Sequence, residues 1–114
     1  MARISTHILD TAQGQPAKGV AVRLQRQEAD GTWKLVASAH TDQGGRCAQL
    51  LSDSEALAPG TYRLHFDTAS YFDLCKVDGF YPFVEITFQV RDAEQHFHIP
   101  LLLSPHGYTT YRGS

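Results

Sequence analysis

At 114 residues and 12.7 kDa, with 42% hydrophobic and 19% charged residues, the chain has the composition of one globular domain and not of a disordered segment. A formal net charge of −2 and the lack of a basic stripe argue against nucleic acid as a partner. The opening "MARISTHILDT" lacks the apolar run of a secretory signal, and no stretch approaches the roughly 20 apolar residues of a membrane span, so a cytosolic protein with no membrane partner is expected.

Taken in chain order, period-2 patterns dominate and helical stripes are scarce. A first strand is predicted at about 3–10, placing His7 with Ser5 and Leu9 on one face and Ile4, Thr6 and Ile8 on the other. The turn chemistry of "AQGQPAKG" leads to a strand at 20–27, "ADGT" to a tight hairpin, and a further strand follows at 33–40. "TDQGG" then reverses the chain into a short strand near Cys47, opened by Arg46. In "TYRLHFD", Tyr62, Leu64 and Phe66 alternate with Arg63 and His65. "DTASYFDLCKVDG" breaks the alternation: Asp67 or Thr68 can cap a short helix on which Tyr71, Leu74 and Cys75 lie at helical spacing. "VEITFQV", with Ile86, Phe88 and Val90 alternating, is again a strand, and two more are predicted at 95–103 and 107–112. Seven or eight short strands with turn signals between them predict an all-β, two-sheet sandwich with one short helix, formed by a single domain over residues 1–114.

Cys47 and Cys75 share no close spacing, which excludes a CxxC motif and leaves two reduced thiols as the expectation. Six histidines raise the question of convergence, because neutral imidazole can accept a proton near physiological pH and can ligate metal. In "HFHIP", His96 and His98 share one strand face while Phe97, Ile99 and Leu101 take the other. The plain alternative is a polar outer face without a role; a zinc site from His7, His96 and His98 is a further reading, although no third ligand follows from local spacing. His7 reads equally well as a half-exposed strand residue. Arg46 is either a solvated hairpin arginine or a planar charged fork for a carbonyl-rich or anionic ligand. His40, His65 and His106 are expected at the surface. No Gly-x-Ser-x-Gly elbow, phosphate loop, dinucleotide fingerprint or HExxH is present, so a conventional serine hydrolase is not expected. The closing "YTTYRGS" has strand-like content, and an ordered end could deliver the hydroxyl of Ser114 and a carboxylate to a fixed place, whereas a frayed end would make both incidental.

The stretches "THILDTAQGQPAKGVAVRL", "TDQGGR", "GTYRLHFDTASYF", "FYPFVEITFQV" and "HFHIPLLLSPHGYTTYRGS" together resemble the 5-hydroxyisourate hydrolases, the transthyretin-related family of urate degradation. The resemblance runs from about residue 4 to Ser114. Transthyretin itself, a carrier, shares the fold and the "LLSP" stretch but lacks the Tyr-Arg-Gly-Ser ending, so the resemblance favours the enzyme. It implies a transthyretin-like sandwich that assembles as a homotetramer, a dimer of dimers, with sites in a central channel. It also implies that His7, Arg46, His98 and Ser114 act in catalysis, and that Tyr111, Arg112 and Gly113 join His7, Arg46 and Ser114 in holding substrate. The implied reaction is water attack that opens the N1–C6 lactam bond of 5-hydroxyisourate, giving 2-oxo-4-hydroxy-4-carboxy-5-ureidoimidazoline; no cofactor or resident metal is expected. The alternative is a transthyretin-like carrier that holds an aromatic small molecule in the channel without turnover.

Overall fold

A computed structural model describes residues 3–51, 57–92 and 95–113; Ser114 lies outside the described residues. Nine strands and one helix are found among them: β1 Ile4–Asp10, β2 Gln15–Pro16, β3 Ala21–Gln27, β4 Trp33–His40, β5 Arg46–Cys47, β6 Gly60–Phe66, α1 Thr68–Cys75, β7 Val84–Val90, β8 Phe97–Ser104 and β9 Gly107–Thr110. They form a five-stranded sheet, β2-β1-β8-β9 with β5 also on β1, and a four-stranded sheet, β4-β3-β6-β7. The expected two-sheet sandwich is present. The strand missing from the sequence reading is β2, two residues inside a predicted turn, whose Pro16 faces Leu9 at a sheet edge where its missing N–H costs nothing.

The core lies between the sheets and follows the period of two. Ile4 and Ile8 of β1, Val22 and Leu24 of β3, Leu64 and Phe66 of β6, and Leu101 of β8 are fully buried. Each such side chain is worth roughly 1.5–3 kcal/mol. Thr6 shares the inward face and donates its hydroxyl to Ile99 O at 2.6 Å, which satisfies it there. The residues in between, Ser5, His7 and Leu9 of β1 with His98, Pro100 and Leu102 of β8, therefore point away from the core. That outer face positions the site.

Two features tie the sheets to their surroundings. The helix is capped by Asp67, which accepts from Ser70 N, and it ends where Lys76 turns left-handed. Its buried residues are Thr68, Tyr71 and Phe72; Leu74, read as part of the apolar stripe, is 82% exposed. Tyr71 donates to the buried Asp10 carboxylate at 2.8 Å, which also accepts from Ala12 N and Gln13 N. Burial and this bond to a carboxylate raise the Tyr71 phenol well above its ordinary range. Both cysteines are unpaired, and burial, reinforced by Asp42, pushes the Cys47 thiol up to about 11. His65, expected at the surface, is instead half-buried: its ring contacts Glu85 at 3.0 Å and stacks on Phe83 at 4.9 Å. His40 and His106 are exposed as expected. No helix among the described residues is long and apolar enough to cross a membrane.

Candidate active site

The outer face of the five-stranded sheet collects residues far apart in the chain. β1 is central: it pairs parallel with β8, setting Ser5 opposite His98 and His7 opposite Pro100, and antiparallel with β5, setting His7 opposite Arg46. Register thus puts His7 between Arg46 and the β8 face that carries His98.

Each side chain is held by local chemistry. The turn before Arg46 is built on Asp42, whose carboxylate accepts from Gly44 N at 2.9 Å and Arg46 N at 3.0 Å. Gly45 has φ of +75°, and a Cβ there would strike Ile8 O and approach Pro16 Cβ at 3.1 Å. The backbone must pass this close because Gly45 O accepts from Ile8 N at 2.8 Å. The turn also presents Gly44 O to His7 Nε2 at 2.9 Å. A carbonyl only accepts, so His7 carries a proton on Nε2, and the neutral ring has its lone pair on Nδ1. Arg46 itself is exposed and His7 half-buried.

His98 is held from two sides. Ser5 Oγ lies 2.8 Å from His98 Nδ1 and 3.2 Å from His96 Nε2. Gly113 N donates to His98 O at 2.8 Å, and an added Cβ at 113 would fall 2.6 Å from His98 Cδ2. Glycine is therefore the residue that lets the backbone lie against the imidazole. Burial lowers the His98 pKa below its ordinary value, and the charges of His7, His96 and Arg46 lower it further. A neutral imidazole beside a permanent cation suits a proton acceptor near pH 7.

The predicted strand 107–112 ends earlier, at Thr110. Leu101 faces Thr110, and three residues on Gly113 faces His98 in the same register. Pro100 stands between, with no N–H to offer Tyr111, so the ladder skips a rung. Thr110 instead donates its hydroxyl to Pro100 O at 2.7 Å. Tyr111, freed from pairing, is 57% exposed. Arg112 turns toward Gln95 Oε1 at 2.9 Å and lies over the Phe97 ring at 4.9 Å. Both border a cavity of about 230 Å³ shared with Ile86, Phe88, Phe97 and His98.

The structure brings His7, Arg46, His98 and Gly113 to one face, with Tyr111 and Arg112 at its margin beyond His98. Asp42 and Gly44 were not singled out in the sequence; the signal for them is an Asp opening a Gly-Gly turn. Ser5 was placed on the His7 face without a function, and its contact to His98 depends on a pairing of residues 93 apart. No three His, Cys, Asp or Glu side chains gather to hold a metal ion among the described residues, so the zinc reading finds no ligand cluster there.

A model of the HIUase/Transthyretin family matches residues 4–113. The chain is 48% identical over 112 residues to the 5-hydroxyisourate hydrolase of Mus musculus, covering 97% of this chain and 94% of the mouse protein. It is 46% identical over 111 residues to the 5-hydroxyisourate hydrolase of Salmonella typhimurium, covering 97% and 80%. Among solved structures, 5-hydroxyisourate hydrolase of Klebsiella pneumoniae superimposes with a TM-score of 0.87 at 35% identity, covering 100% of both chains. Sea bream transthyretin in complex with thyroxine superimposes with a TM-score of 0.91 at 32% identity, covering 97% of this chain and 94% of its own.

Proposed function

This chain belongs to the HIUase/Transthyretin family, and we infer that it is an enzyme that hydrolyses 5-hydroxyisourate in urate degradation. The observation that carries the reading is the convergence of two imidazoles and a guanidinium on one outer sheet face, with a glycine backbone laid against one of the imidazoles.

The substrate is a planar ring rich in carbonyl and N–H groups, and opening its N1–C6 lactam requires a base for water and a donor for the developing oxyanion. His98, held neutral by burial and neighbouring positive charge, takes the proton from water. His7, whose Nε2 is committed to Gly44 O, keeps Nδ1 for the same proton traffic. Arg46 offers its planar fork to the ring carbonyls and offsets the negative charge that grows on the attacked oxygen. Tyr111 walls the pocket and Arg112 and Gly113 shape its rim, while Ser114, outside the described residues, takes by family resemblance the role of orienting substrate or water.

A homotetramer, a dimer of dimers, belongs to the same proposal, as does the cytosolic location. β4, β7 and β9 each pair on one side only among the described residues, which leaves sheet edges that a second copy could extend. The carrier reading is favoured only by likeness of fold to a transthyretin; His7, Arg46 and His98 polarise the face where an aromatic carrier needs apolar walls.

The test is to generate 5-hydroxyisourate with urate oxidase and follow its decay by absorbance with and without the protein. Acceleration is expected, and His98→Ala or His7→Asn should remove about 10²–10⁴ of it, the worth of a positioned general base. Tight thyroxine binding without acceleration would point to the carrier instead. Sedimentation of the wild-type chain as a fully active monomer would overturn the tetramer.

A further inference from the structure

Ser5 lies between two rings of different exposure. It is itself 6% exposed, its partner His98 is half-buried, and its other partner, His96, is exposed to solvent. A hydroxyl has one proton and two lone pairs, so when its proton is used between two imidazole nitrogens it donates to one and accepts from the other. Two arrangements satisfy the 2.8 Å and 3.2 Å contacts with neutral rings. In the first, His98 Nδ1–H donates to Ser5 Oγ and Ser5 O–H donates to His96 Nε2, leaving His98 Nε2 a lone pair. In the second, His96 Nε2–H donates to Ser5 and Ser5 O–H donates to His98 Nδ1, so that His98 Nε2 bears a proton. The first makes His98 a base, the second an acid.

We propose that Ser5 and His96 form a proton relay between His98 and bulk water that interconverts these two forms during turnover. This rests on the hydrolytic reading above and deepens it. When His98 Nε2 takes a proton from the attacking water, Nδ1–H passes to Ser5 Oγ, the Ser5 proton passes to His96 Nε2, and His96 Nδ1–H leaves to solvent. His98 now bears its proton on Nε2. As the N1–C6 bond breaks, that proton goes to the departing nitrogen, Ser5 O–H moves to His98 Nδ1, His96 Nε2–H moves to Ser5, and solvent returns a proton to His96 Nδ1. One proton leaves and one returns, and the new carboxylic acid ionises to water. The advantage is electrostatic. Buried beside His7 and Arg46, His98 is a poor place to rest a positive charge. The relay puts that charge on an exposed ring, where water screens it.

The relay predicts that His96→Ala lowers kcat about 10-fold with KM within about twofold, less than the roughly 10²–10⁴-fold cost of losing the base itself. Free imidazole in the buffer should restore the His96→Ala rate in proportion to its concentration, because the missing ring is exposed. Ser5→Ala should show a similar deficit without rescue by imidazole, and Ser5→Thr, which keeps the hydroxyl, should recover most of the rate. Circular dichroism of each variant should match the wild-type spectrum, which separates a lost relay from a lost fold. A wild-type kcat in His96→Ala, or a deficit that imidazole does not relieve, overturns the relay while leaving the hydrolase reading intact. Absence of turnover in the wild-type chain overturns both.

Discussion

Gly113 offers a sharp test of the site because its replacement should cost activity without costing the fold. In Gly113→Ala the new Cβ lies 2.6 Å from His98 Cδ2 and 3.3 Å from both His98 Cγ and His98 O. Non-bonded carbons rest at about 3.5–4.0 Å, so either the imidazole or the segment against it must shift by about 1 Å. Gly113 does not occupy the left-handed region, so contact and not backbone strain is the whole effect. A displacement of that size at a reacting group costs on the order of 10²-fold in rate, or about 2.7 kcal/mol in barrier. The stability at stake is one bridge, the bond from Gly113 N to His98 O, worth about 1 kcal/mol and a few degrees in Tm. Decay of enzymatically generated 5-hydroxyisourate gives kcat/KM, and thermal unfolding gives Tm on the same preparation. Gly107→Ala is the control, since its Cβ meets only Ser104 Oγ at an ordinary 3.8 Å. A Gly113→Ala enzyme within about twofold of wild type would refute the reasoning.

Other substitutions separate fold from chemistry. Gly45→Ala forces alanine into a left-handed backbone, about 1–2 kcal/mol alone, and onto Ile8 O besides, so Tm should fall by at least about 4 °C; an unchanged Tm contradicts the turn described here. Tyr71→Phe strips a hydrogen bond from the buried Asp10 carboxylate and should cost about 1.5–3 kcal/mol in urea unfolding while kcat stays within about twofold. His98, with its pKa lowered by burial and by His7, His96 and Arg46, should titrate by NMR below the ordinary value of about 6.5. The sign for stability follows. Between the lowered and the ordinary value the unfolded chain binds more protons, so His98 makes stability rise with pH across that window and fall as pH drops through it. A midpoint at or above the ordinary value removes the electrostatic argument.

Much of the sandwich was legible because alternation encodes burial directly: Tyr62, Leu64 and Phe66, or Ile4 and Ile8, announce which face is inside. The Asp67 cap was legible for a similar reason, since the signal is local. Leu74 misled because an eight-residue helix presents little more than two turns, and Tyr71 with Phe72 suffices to dock it. His65 misled because alternation says which face a side chain takes but not that Glu85 and Phe83 wait there. The site lay mostly beyond local pattern. That His7 meets Arg46, and Ser5 meets His98, depends on strand pairings across 39 and 93 residues, which periodicity cannot specify. Family resemblance supplied His7, Arg46 and His98 but not Ser5, and the geometry supplies reasons for Gly45 and Gly113 being glycines.

The side-by-side pairing of β1 with β8 has a consequence for how the protein is made. Parallel strands this distant close a long loop before any contact repays the entropy, which slows folding relative to hairpins. At synthesis rates of roughly 5–20 residues per second, β1 waits on the order of 5–20 s for its neighbour. During that interval Ile4 and Ile8 have no β8 beside them and the strand is open to mispairing with another nascent chain. Catalytic competence therefore arrives last, and a preparation's specific activity doubles as a measure of how many molecules closed that loop correctly.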